Sequence, residues 1–470
     1  MTNEYGTVDQ IRTRALEVGA ERVVRDHLAR VRALEHRINA IASLREDAAL
    51  DDARRVDAEP ALRRGPLAGV PVLVKDVHEV AGLTMANGSR AFASHTPDFD
   101  SEVAARLKRA GAVILGSTVM PEFGLRATTD NALHGATRNP WNPEFGPAGS
   151  SGGAAAAVAA GLAPVALTGD GAGSGRVPAA ACGIVGLKPT RGRVPWGPGM
   201  YEHWAGLAIS SPMGRTVRDT ARLLDVVSGP MTGDPYGLPA TPPGHFLEAC
   251  DRPSEPLRVA WTSTPPHGRV DAGVDAAVRA ALDVFDDLPH SLVEDSPDLT
   301  GMLEPLLAIM AGSVGALVQF IGPAGLDAVE APSLEIARQG ERMPASDYVA
   351  AVNACRALAA RVLGFWEEYD VLVTPTSTRG PLRIGEAPAG ESFHERWSFY
   401  ADVFAFGYPF NMTGQPAVTV PCGFDGDGIP VGLQLVGRPG AEDVLLGLAA
   451  RIEELRPLGR TPDPDLPALR

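Results

Sequence analysis

A chain of 470 residues, 45% hydrophobic and 21% charged, has enough apolar material for a large core and neither a disordered nor a fibrous composition. Its formal charge of −15 would repel a polyanion, so nucleic acid is not expected as a ligand. Met1 to Gly6 has no basic stretch leading into an apolar one, and the run read as most apolar, Ala154 to Leu167, is broken by Gly161 and Pro164, which predicts neither a signal peptide nor a membrane span.

The first sixty residues carry Val23, Leu28, Val31, Leu34, Ile38 and Ile41 at threes and fours among charges, the pattern of amphipathic helices. Gly69 to Asp76 is an apolar, β-branched run that reads as a buried strand with Lys75 at its end. Asp100 to Ala110 predicts a capped helix and Ala112 to Leu115 a second buried strand, the alternation of an α/β sheet. Gly152 to Ala160, glycine and alanine directly after two serines, predicts a tightly packed helix whose N-terminus faces a site.

Val165 to Leu167 then leads into a glycine-rich turn, and Thr216 to Val227 is helical. Arg258 to Trp261 reads as a strand opening a mostly helical middle, whose aromatics Phe320, Tyr348, Phe365, Trp366, Trp397 and Tyr400 are core candidates. Val371 to Val373 and Val431 to Leu435 are expected to close the sheet. No linker divides the chain, so one domain is expected over 1–470, with a chemical core at about 60–225, a variable helical region at about 226–400, closing strands and a helix at 401–456, and a loose tail at 457–470.

The densest signal is Gly149-Ser150-Ser151-Gly152-Gly153 followed by Asp170-Gly171-Ala172-Gly173-Ser174-Gly175-Arg176, two serine-bearing glycine turns flanking one small-residue helix. Successive exposed N–H groups in such turns form a concavity for negative charge, which an oxyanion needs. A serine hydroxyl is a poor nucleophile until a neighbour takes its proton, and no histidine lies near either motif in sequence. Lys75 would serve if burial leaves it neutral, and a second serine would pass the proton along. That chemistry requires Lys75, Ser150 and Ser174 to converge. Asp170 and Arg176 bracket the second turn as an ion-paired brace, and Ser151 is a supporting hydrogen-bond donor.

These residues resemble the amidase signature family across most of the chain. The resemblance runs from Pro147 through the first turn, along Asp170 to Pro178, and through Cys182-Gly183-Ile184-Val185-Gly186-Leu187-Lys188-Pro189-Thr190. It extends to His134–Trp141, Tyr369-Asp370 and Asn411–Ala417. The resemblance implies a central mixed, twisted β-sheet sandwiched between layers of α-helices, with Ser174 as nucleophile, Ser150 as relay serine with a cis peptide bond, and Lys75 as base. Gly171, Ala172 and Gly173 become the oxyanion-hole candidates, each such donor contributing roughly 3 kcal/mol in the transition state. Ala148, Gly169, Ala172 and Gly175 depart from the family's usual residues.

The subgroup most resembled hydrolyses nylon-type oligoamides, including cyclic dimers, together with relatives acting on aryl amides and carbamates, and this implies a small amide or urethane substrate, with esters also open to attack. Leu125, Trp196, Met200 and Trp204 are the pocket candidates. The family also carries an expectation of a homodimer. Two rivals stand beside this reading: a glutamine-amidase subunit of a tRNA-dependent amidotransferase, and a catalytically silent scaffold on the same fold. A Gly-x-Ser-x-Gly elbow at Ser151 lacks the strand it needs, because Asn139 to Pro147 is turn-rich. Neither metal-ligand spacing nor a phosphate-binding loop appears, so neither a metal nor another cofactor is expected. Four scattered cysteines, Cys182, Cys250, Cys355 and Cys422, suit a reducing cytoplasm.

Overall fold

The computed structural model describes residues 6–252, 255–386 and 392–463. Its strands in chain order are β1 (Ile41–Leu44), β2 (Pro71–Lys75), β3 (Val113–Thr118), β4 (Asp130–Asn131), β5 (Gly135–Ala136), β6 (Val165–Asp170) and β7 (Val185–Lys188). They continue as β8 (Ile209–Gly214), β9 (Arg258–Trp261), β10 (Ser291–Glu294), β11 (Val371–Pro375), β12 (Ala417–Phe424) and β13 (Pro430–Gly437). All but the β4–β5 ribbon belong to one 11-stranded sheet, ordered β1-β3-β2-β6-β8-β7-β12-β13-β11-β9-β10. The sheet is mixed: β3, β2 and β6 are mutually parallel, as are β11, β9 and β10, while the strands between pair antiparallel. The expected α/β fold with helices layered on a mixed sheet is what the chain adopts.

Alternation along the strands divides the apolar core in two. Val259, Val371, Val373, Val418, Leu433 and Leu435 join one cluster with the N-terminal helices, and Ala260, Leu372, Ala417 and Val436 join the other with the helices after Leu303. Parallel strands buried on both faces read as continuous apolar runs, and β2, Pro-Val-Leu-Val-Lys, is buried at all five positions. Because β2 and β6 are parallel neighbours, with Val74 opposite Leu167, Lys75 and Asp170 leave the sheet at the same edge. Helix Gly152–Ala159 lies over that edge, all eight residues buried. A Cβ at Gly153 would stand 2.4 Å from the Val119 carbonyl, so only glycine lets the helix sit so close.

Some expectations shift. Ile41 does not continue the second helix, Ala20–Ile38, which stops at Asn39 in the left-handed region (φ 54), and Ile41 starts β1. β11 and β13 lie inside the sheet rather than closing it, since β10 forms that edge. Ala154 to Leu167 is not the longest apolar stretch. Helices Leu303–Ile321 and Ala345–Glu367 are long and apolar enough by length and composition to cross a membrane, and the first packs against Ala331–Arg342 and Ala345–Leu363. Of the chain after Pro457, Arg460 lies over the rings of Phe424 (4.8 Å) and Trp141 (5.9 Å), while 464–470 of the expected tail lie outside the described residues.

Candidate active site

Lys75 is 3% exposed, and its Nζ donates to Ser150 Oγ at 2.7 Å and to Ser151 Oγ at 2.9 Å. Burial pulls this ammonium down to about 7, against the opposing attraction of Asp170 and Asp76. A buried lysine with two hydroxyl partners and a depressed pKa is poised to exchange protons near neutrality. The Gly149–Ser150 peptide is cis, and Ala148 before it is left-handed at φ 60. Ser151 Oγ donates onward to Gly169 O at 3.1 Å, and its N–H donates to Ser174 O at 3.2 Å, stitching the two turns together. Of the three serines Ser174 is the most exposed, at 6% against 2% for Ser150 and 0% for Ser151.

The second turn is fixed from within by Asp170, which accepts from Gly173 N (2.8 Å), Gly175 N (3.1 Å) and Arg176 N (3.3 Å). Arg176 grips the same carboxylate with Nε and Nη2, both at 2.9 Å. Its remaining donors reach Gln434 Oε1 (2.8 Å), Asn411 Oδ1 (2.7 Å) and Gly407 O (3.1 Å). Arg176 holds Asp170 well below the usual carboxylate range despite full burial. Asn411 Nδ2 donates to Asp170 Oδ1 and O and to Leu207 O. Asn411 and Gln434 lie more than 200 residues from this turn; Asn411 opens the motif Asn411–Ala417, whereas nothing in the spacing marked Gln434.

The three expected oxyanion donors are not equivalent. Gly173 N–H is taken by Asp170, whereas Gly171 and Ala172 N–H donate to no described residue, which narrows the free donors to these two. The pocket candidates also part company. Leu125 is buried at the turn after Gly124, where a Cβ would stand 3.3 Å from Ser150 Oγ, and it lines a cavity of about 490 Å³ with Ile336, Leu382, Trp397 and Tyr400. Trp204 is half-buried against Gly171. Trp196 is buried beneath the end of β6: its Nε1 donates to Ala208 O at 3.0 Å, and its ring lies between His78 (5.0 Å) and His203 (4.4 Å), beside Gly169. Met200 stands 45% exposed on the following loop. Trp196 lines a small recess with Arg191, Tyr201 and Tyr236.

His78, three residues beyond Lys75, donates from Nε2 to Thr168 O (3.1 Å), and burial lowers it to about 4, so it stays neutral near pH 7. Among the described residues no group of three or more His, Cys, Asp or Glu gathers as a metal site.

The Amidase family profile matches residues 22–446. Over 467 residues the chain is 36% identical to 6-aminohexanoate-cyclic-dimer hydrolase of Paenarthrobacter ureafaciens, covering 94% of this chain and 93% of that protein. It is 37% identical over 444 residues to an acylamidase of Rhodococcus erythropolis, covering 92% and 91%. A solved 6-aminohexanoate cyclic dimer hydrolase superposes with a TM-score of 0.91 at 34% identity, over 98% of this chain and 99% of that one. The chain belongs to the amidase signature family. As a member it is an amidohydrolase, acting on carbon–nitrogen bonds.

Proposed function

We propose that the chain hydrolyses a small oligoamide, aryl amide or carbamate through an acyl-enzyme on Ser174. The observation that carries this reading is the buried contact from Lys75 Nζ to Ser150 Oγ at 2.7 Å, with burial pulling the lysine to about 7. Neutral Lys75 takes the Ser150 proton as Ser150 takes that of Ser174, and Ser174 Oγ bonds to the carbonyl carbon. The carbonyl oxygen gains charge against Gly171 and Ala172 N–H. With an amide the proton returns along the relay to the departing nitrogen as the C–N bond breaks, and water then attacks the acyl-enzyme and releases an acid; with a carbamate that loses its alcohol or phenol, the C–O bond breaks, the proton goes to that oxygen, and water releases a carbamic acid from the carbamoyl-enzyme. Ester substrates follow the same path.

The names of two relatives, a cyclic-dimer hydrolase and an acylamidase, support the substrate class, as does the apolar side chain of Leu125 beside the first turn. Four buried free cysteines, Cys182, Cys250, Cys355 and Cys422, support a reducing cytoplasmic setting. The test is hydrolysis of a matched nitroanilide, nitrophenyl carbamate and glutamine by wild type and by Ser174→Ala. Loss of anilide or carbamate cleavage in the variant is expected; cleavage of glutamine alone would favour the amidotransferase subunit instead.

A further inference from the structure

Asp170 braces the second turn through Gly173, Gly175 and Arg176, yet none of those bonds reaches the peptide groups of Gly171 and Ala172. Asn411 Nδ2 holds the carbonyl side of the Asp170–Gly171 peptide, at Asp170 O (2.8 Å), and what bears on Gly171 from the other side is an indole. A Cβ there would stand 2.9 Å from Trp204 Cζ3, 3.1 Å from Cε3 and 3.4 Å from Ala208 Cβ. Gly171 lies outside the left-handed region, where any residue is tolerated, so it is glycine for space and the space is filled by the ring.

Trp204 reaches that position through an unfavourable backbone. Trp204 and Ala205 are both left-handed, at φ 54 and 52, a conformation side chains disfavour. Such conformations persist where surrounding bonds over-determine them, and they concentrate where geometry serves function. Here Arg191 Nε donates to Gly206 O (2.7 Å), Leu207 N to Trp204 O (3.0 Å), and Asn411 Nδ2 to Leu207 O (3.0 Å). Asn411 is thus shared between Asp170, which sets the inside of the oxyanion turn, and the loop that presents the indole to its outside.

We propose that Trp204 is a positioning residue that holds the Gly171–Ala172 peptides at the oxyanion, its ring and the bare Gly171 forming a matched pair. The proposal rests on Ser174 as the nucleophile. Losing the ring lets the turn relax, and adding a methyl at Gly171 drives the turn off the ring; both misplace the same N–H groups and leave ground-state binding largely alone. The substrate side of the indole is not what the assignment concerns.

The experiment measures kcat and KM on one nitroanilide for Gly171→Ala, Trp204→Leu, their double variant and Trp204→Phe, with fluorophosphonate labelling of Ser174 in wild type. Each of the first two lowers kcat by roughly 10- to 100-fold with KM changed by no more than about threefold. The double variant is no slower than the slower single one, because the methyl no longer meets the ring, and Trp204→Phe recovers most of the rate. If the two losses multiply, or if Trp204→Leu raises KM at unchanged kcat, the assignment is overturned. Should Trp204→Leu not fold, the same cycle run with Trp204→Met, which also removes the ring, decides between coupling and independence. Absence of label on Ser174 in wild type would instead remove the nucleophile reading beneath the proposal.

Discussion

Around Asp170–Arg176 the chain is held by charge and hydrogen bonds, whereas the helices from Leu303 to Leu363 are held mainly by apolar contact. In the first region Arg176 alone bonds to Asp170, Gln434, Asn411 and Gly407, every partner buried. In the second, Leu306, Ile309, Met310 and Val314 fill the cluster that also receives Leu372 and Val436 from the sheet. Directional bonds fix atoms where a reaction needs them, and a buried charge tolerates no missing partner. Apolar packing specifies volume more than identity and admits exchange of side chains. The contrast separates a region fixed by directional bonds from one specified mainly by volume.

The largest effect should come from the polar side. Lys75→Ala is expected to lower kcat/KM by roughly 10²- to 10⁴-fold, the range for losing a general base. On the proposed relay the base works neutral, so wild-type activity should rise with pH through about 7 and level off above it, and this acid limb should disappear in the variant; a pH–rate profile reads both. A variant retaining both rate and limb would remove Lys75 from the relay.

Breaking the brace comes next. Arg176→Met leaves the Asp170 carboxylate buried without its cation, a loss of about 3–5 kcal/mol by urea unfolding. Stability within error of wild type would mean the network is not what holds the turn. On the apolar side, Leu306→Ala should cost about 2–5 kcal/mol as a cavity while kcat on the smallest amide substrate is preserved. A collapse of kcat there would erase the division between the regions.

The smallest change is expected at Ala148, whose φ of 60 suits glycine but whose methyl is buried at 3% exposure. Ala148→Gly relieves about 1 kcal/mol of backbone strain and gives up a similar amount of burial, so thermal unfolding should place it within about 1 kcal/mol of wild type.

The same contrast governs what could be read in the sequence. β2, β3, β6, β9, β11 and β13 were legible because each carries a short apolar core with punctuated ends. β8 was not: Ile-Ser-Ser-Pro-Met-Gly looks like a loop, although all six residues are buried and β8 pairs with β6 along its whole length. Its pairing to β7 stops at Met213, so Pro212 sits where only one side of the ladder is made, which is how a proline survives inside a sheet. β12, with Pro421 beside a register shift, was hidden in the same way.

At the site, Lys75, Ser150, Ser174 and the Asp170–Arg176 pair stood out through spacing and motif. Asn411 belongs to a motif whose partner the sequence does not name, and Gln434 joins the site only once the sheet order brings β13 across. Trp196 turns into a buried recess and Met200 out to solvent, a difference that an aromatic or a methionine in a loop does not announce in sequence. Gly173 looked like a third oxyanion donor because composition cannot reveal that Asp170 already holds its N–H.

The most direct test of the relay is intact and peptide mass spectrometry of the enzyme after rapid quenching with a nitrophenyl carbamate. The account predicts one carbamoyl group on the peptide bearing Ser174, absent in Ser174→Ala and slow to form in Lys75→Ala; turnover with the adduct on Ser151, or with none on any serine, would contradict it.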